Sequence, residues 1–94
     1  MEDKFIVAWE QARKKAESLG VRMRPVNGAD ALVQAHRILS GHKESDGFSH
    51  LARLNRLDLS LEALAVSKAY TGLFTDDEAN EALNRLMEAG YGFG

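Results

Sequence analysis

Apolar residues recur at helical spacing over most of the chain. Phe5, Trp9, Ala12, Ala16 and Leu19 follow one another at intervals of four, three, four and three, and Ile6 and Ala8 widen the stripe. This predicts one amphipathic helix over 3–19, closed by Gly20. Two heptads are too few for an autonomous coiled coil, so the stripe should pack against other helices. Glu10 with Lys14, and Arg13 with Glu17, stand one turn apart and are spaced to pair. The pattern breaks over 21–26. There Val21, Met23 and Val26 are interleaved with Arg22 and Arg24, and Pro25 forbids a ladder hydrogen bond, so the stretch reads as an extended connector or at most an edge strand. Asn27-Gly28 is a turn pair, but no second alternating run follows to complete a hairpin.

Helical spacing resumes with Leu32, Val33, Ala35, His36 and Leu39, a second helix that Asn27 would cap with Asp30 in its first turn and that Ser40-Gly41 would end. Residues 41–47 are wholly polar and form the clearest loop. A third helix over 48–57 would turn Phe48, Leu51, Ala52 and Leu54 or Leu57 inward, capped by Ser45 or Asp46. The alternation over 57–61 resembles a strand but reads better as a tight junction between helices. Asp58 or Ser60 would then cap a fourth helix over 61–70, with Leu61, Leu64, Ala65 and Lys68 or Ala69 on one face. The most complete signal lies at 73–90. Thr75 and Glu78 have capping-box spacing, Phe74 is placed to staple onto Ala79, and Asp76, Asp77 and Glu78 load the first turn with negative charge. Ala79, Ala82, Leu83, Leu86 and Met87 share a face, and Gly90 stops the helix. Tyr91 and Phe93 stand in a tail that docks on the bundle or frays. The expected fold is an all-α compact bundle of four to five short helices in a single domain.

Composition changes this picture in two ways. The chain of 94 residues has no cysteine, which removes disulfides, thiolate nucleophiles and cysteine metal sites together. With no basic-then-apolar leader at the first residues, the expectation is a cytoplasmic protein. The net charge of −2 also hides a division: residues 1–57 hold ten of the twelve Lys and Arg, while 58–94 hold half of the fourteen acids. Such a split can mark an interaction surface, and it equally describes solvated helix faces.

Candidate chemistry is sparse. His36, His42 and His50 with Asp46 are the one cluster with metal-ligating residue types, but the spacing lacks the close ligand pairs usual in zinc sites. Ser45, Asp46 and His50 have the residue types of a nucleophilic triad without a strained nucleophile turn. There is no glycine-rich phosphate cradle and no calcium loop. No enzymatic activity, cofactor or metal is therefore expected. Arg13, Lys14, Lys15, Arg22, Arg24, Arg53 and Arg56 could face a nucleic-acid backbone, with 48–70 of suitable length for a helix-turn-helix. The expectation that remains foremost is protein–protein binding, as an adaptor, regulator or inhibitor. Its candidate surface comprises Arg13, Lys14, Arg22, Arg24, Arg53, Arg56, Tyr91 and Phe93, with Trp9 and Tyr70 as further aromatic anchors. A symmetric homodimer is the assembly expected of a chain that self-associates.

Overall fold

The buried side chains of the first helical stripe are large in its first half, Phe5 and Trp9, and small in its second, Ala12 and Ala16, and the core divides accordingly. A computed structural model describes residues 2–23, 30–41 and 43–91. Among them are five α-helices: α1 (Glu2–Ser18), α2 (Ala31–Ser40), α3 (Phe48–Arg53), α4 (Leu61–Ala65) and α5 (Asp76–Glu88). Two 3-10 turns, Leu57–Leu59 and Lys68–Leu73, flank α4, and no strand occurs among the described residues. Phe5 and Trp9 of α1 anchor one core cluster with Ala35 and Leu39 of α2, Leu61 and Ala65 of α4, and Phe74 and Ala82. Ala12 and Ala16 of α1 belong to a second cluster with Val21, Phe48, Leu51, Leu57, Leu59 and Leu86. Alanine at both α1 positions lets the Leu57–Leu59 turn pack directly on the helix. Val66 touches both clusters and joins them.

Several boundaries depart from the periodic pattern. In α1, Leu19 lies past the last turn and is exposed, while Gly20 takes φ +89° and the Val21 N–H returns to the Ala16 carbonyl. The anticipated Glu10–Lys14 pair does not form. Arg13 instead reaches both Glu10 (3.6 Å) and Glu17 (3.1 Å). α2 begins at Ala31 with Asp30 as N-cap and without a side-chain cap bond; the proposed cap Asn27 lies outside the described residues, as do Arg24, Pro25 and Val26. α3 ends at Arg53 because Asn55 takes φ 58° and turns the chain, so Leu57 is buried from a separate turn and Leu54 is exposed. α4 is only five residues long. Ser60 caps it as expected, its hydroxyl accepting from Ala63, but Ser67 starts a new turn and Lys68 and Ala69 face solvent. A helix-turn-helix over 48–70 is thereby excluded, since helices of six and five residues cannot present a recognition face to a groove.

Gly47, not Ser45 or Asp46, is the N-cap of α3, at φ +78°. A Cβ there would stand 2.7 Å from Val21 Cγ1 and 3.1 Å from Met23 Cγ. The 43–47 loop thus lies directly on the 21–23 segment, and only glycine permits it. Gly47→Ala should cost about 2 kcal/mol, from left-handed backbone strain and from overlap with a β-branched, buried neighbour. Urea unfolding measures this; a loss below about 0.5 kcal/mol would show that the loop can lift at no cost.

Candidate functional site

α5 explains how the remaining elements are positioned. Its capping box is complete: the Thr75 hydroxyl accepts from the Glu78 N–H (3.1 Å), and the Glu78 carboxylate accepts from the Thr75 N–H (2.8 Å). The buried stripe then runs through Glu78, Ala82, Arg85 and Leu86, with Ala79 and Leu83 half-buried and Met87 exposed. The helix is rotated from the purely apolar face because two charged side chains are turned inward. α5 packs on both α2 and α4, and each charge serves that junction.

Arg85 is the centre of the arrangement. Its side chain is 6% exposed and its Nη1 donates to Glu62 Oε2 at 3.1 Å, while the Glu62 side chain is wholly buried. Nε donates to Glu81 at 2.6 Å, and Nη2 donates to the Ile38 and Gly41 carbonyls at 3.3 and 3.0 Å. The guanidinium thus caps the end of α2, taking the Gly41 carbonyl and sharing the Ile38 carbonyl with the Gly41 N–H (3.3 Å). Glu62 also accepts from the Ser45 N–H (2.9 Å) and the Ser45 hydroxyl (2.5 Å), so the same pair fixes the 43–46 loop. At the other end of α5, His36 Nδ1 stands 2.6 Å from Glu78 Oε2, and the His36 ring lies 5.4 Å from that of Phe74. A carboxylate only accepts, so Nδ1 carries the hydrogen.

Burial pushes the Glu78 carboxyl up, but the Thr75 N–H and then His36 outweigh it, and the net shift is below the ordinary value of 4.5. A carboxylate that holds its charge more firmly when folded stabilises the protein above that value. The contribution disappears as pH falls through the folded pKa. Glu78→Gln should therefore flatten the loss of stability on acidification below about pH 4.5, with lower stability at neutral pH. Urea midpoints across that range test it, and parallel curves for the two proteins would be the contrary result.

Beside the Arg85 network, α1, α2 and the 43–46 loop enclose a cleft of about 530 Å³. Trp9, Met23 and Ile38 supply its apolar surface. Arg37 and Lys43, both exposed, stand at its rim with Glu44 and Asp46. Its polar floor is already used: Ser45 is bonded to Glu62, and the Gly41 carbonyl to Arg85.

No family model, curated protein or solved structure matches the chain.

The anticipated interaction residues are dispersed. Arg13 is held between two glutamates on α1, and Arg56 by Asp58 at 3.1 Å. Lys14, Lys15, Arg22 and Arg53 are exposed. Tyr91 is half-buried against the second core cluster, its N–H bonded to the Leu86 carbonyl. Arg24 and Phe93 lie outside the described residues. Trp9 is a core residue with an edge in the cleft, and Tyr70 is half-buried with its ring 5.5 Å from Phe5. Of the histidine cluster, His36 is committed to Glu78, His50 is exposed and His42 is outside the described residues, among which no group of potential ligands gathers around a metal position. Of the triad residue types, the Ser45 hydroxyl donates to Glu62 and His50 is exposed. No described helix is long and apolar enough to cross a membrane.

Glu62, Arg85 and the cleft were not among the sequence candidates. Positions 78, 82, 85 and 86 do fall at helical spacing, so a glutamate and an arginine within that stripe were the legible sign of buried charge.

Proposed function

We propose that this chain acts by binding another protein, as an adaptor, regulator or inhibitor, and that the cleft between α1, α2 and the 43–46 loop receives the partner. The observation that carries this reading is the chemistry of the cleft. Of its polar lining groups the Ser45 hydroxyl and the Gly41 carbonyl are spent inside the fold and Gln34 is also engaged, beside an apolar surface of Trp9, Met23 and Ile38 with a charged rim. A small polar ligand needs converging donors and acceptors to orient it. An apolar centre with a charged rim is instead the anatomy of a protein interface, in which one or two large side chains fill a pocket. The cytoplasm is the proposed setting, since packing and an internal ion pair hold the fold without oxidised cross-links.

The runner-up is a nucleic-acid-binding regulator that uses the basic N-terminal half. Exposed Lys14, Arg22 and Arg53 favour it, and the pairing of Arg13 and Arg56 with carboxylates weighs against it.

Trp9 is the sole tryptophan and reports directly on the cleft. Selection of random dodecapeptides on the folded chain should yield binders that shift Trp9 emission and lose at least roughly tenfold in affinity on Ile38→Arg or Met23→Arg. Two variants are needed because both side chains also touch the core, and either one that retains its circular dichroism suffices. Peptides that bind the folded variants undiminished, or no peptides at all, would refute the cleft as the site. Binding of a short DNA duplex at low salt that falls steeply with added salt and on Arg22→Ala would transfer the function to the runner-up.

A further inference from the structure

We infer that the protein segment received by the cleft is acidic: one or two large apolar side chains flanked by carboxylates that meet Arg37 and Lys43. This rests on the protein-binding reading above and adds the chemistry of the partner.

The argument turns on which charges at the rim are already engaged. A cation in the last turn of a helix ordinarily interacts with its terminal carbonyls. Arg37 occupies that position in α2, yet the Ile38 and Gly41 carbonyls are taken by Arg85 reaching across from α5. Arg37 is thereby released, exposed and without a carboxylate partner among the described residues. Lys43 is likewise exposed, on the loop that Glu62 pins through Ser45, and its ammonium also has no acid partner there. The opposing charges at the rim are fewer. Asp46 is engaged within the fold, which leaves Glu44 as the single unengaged acid among the described lining residues. Among the described lining residues, two cations without an acid partner stand against one unengaged carboxylate around an apolar centre, which complements an acidic amphipathic segment and disfavours a basic one. Rim charges of this kind steer encounter and discriminate between partners.

The test reads the composition of the selected peptides and the effect of Arg37→Glu with Lys43→Glu. Both side chains are solvent-exposed, so the double variant should retain the fold. The expected result is that recovered peptides carry Asp or Glu beside Leu, Ile, Phe or Trp. A synthetic representative should bind the double variant roughly tenfold or more weakly, and the same peptide with its acids changed to Lys should prefer that variant. Peptides that depend on Ile38 or Met23 but carry no excess of acid, or that bind the double variant equally well, overturn the acidic partner and leave the cleft in place. Peptides insensitive to Ile38 and Met23 overturn both.

Discussion

Arg85→Ala should remove a substantial part of the protein's stability. The substitution leaves the wholly buried Glu62 carboxylate with only Ser45 as a donor, strips the Gly41 carbonyl of its side-chain donor and leaves the Ile38 carbonyl with the Gly41 N–H alone. Breaking a buried pair by removing one member costs about 3–5 kcal/mol, against a total stability of about 5–15 kcal/mol for a domain. The exposed pair between Arg13 and Glu17 provides the contrast. Glu17→Ala should change stability by less than about 1 kcal/mol, because solvent screens that interaction. A double variant, Glu62→Met with Arg85→Met, separates charge from packing. It removes the stranded carboxylate and should recover part of the loss, but not all of it, since the Gly41 carbonyl still lacks the guanidinium donor. Urea unfolding followed by circular dichroism measures all four proteins. A single-variant loss below about 1 kcal/mol would mean that water replaces the guanidinium without penalty, and the ion pair would then not organise α2, α4 and α5.

Phe5→Ala should have an effect of similar size for a different reason. Phe5 has no exposed surface, and its ring lies 5.7 Å from Trp9, 5.5 Å from Tyr70 and 5.3 Å from Phe74, the last two at 72°. Truncation empties the centre of the first cluster and removes three edge-on or tilted ring contacts. The expected loss is about 3–5 kcal/mol, because α1 cannot move inward while its second half is fixed against the Leu57–Leu59 turn. Phe5→Leu should cost less, since it keeps much of the volume. The effect reaches the cleft as well. Trp9 presents its edge there and is backed by Phe5, so Trp9 emission should move to longer wavelength in the alanine variant before the main unfolding transition. A loss under about 1 kcal/mol with unchanged emission would show that the two rings are packed independently.

These two sites differ in how plainly they could be seen beforehand. The Phe5 stripe is visible because burial of apolar area follows helical periodicity, and the large members of that stripe are the core. Arg85 and Glu62 are charged residues, which ordinarily face water. Their burial depends on Ser45, Ile38 and Gly41 arriving from elements far away in sequence. The candidate site followed the same division. A basic surface was inferred from proximity along the chain, yet Arg13 and Arg56 found nearby acids, while the unengaged cations at the cleft, Arg37 and Lys43, stood outside that set.

Local chemistry by itself determined the all-α class, the capping box and the limits of α5, the span of α1 to within a residue, and the stop at Gly20, because each depends on spacing or on hydrogen bonds within a turn or two. Only the tertiary structure decided that the third and fourth helical patterns break into turns, that α5 rotates to bury Glu78 and Arg85, and that a cleft opens beside the loop Glu62 holds. A short helix gains little from its own propensity, so its length and the face it buries are set by the partners that meet it in space.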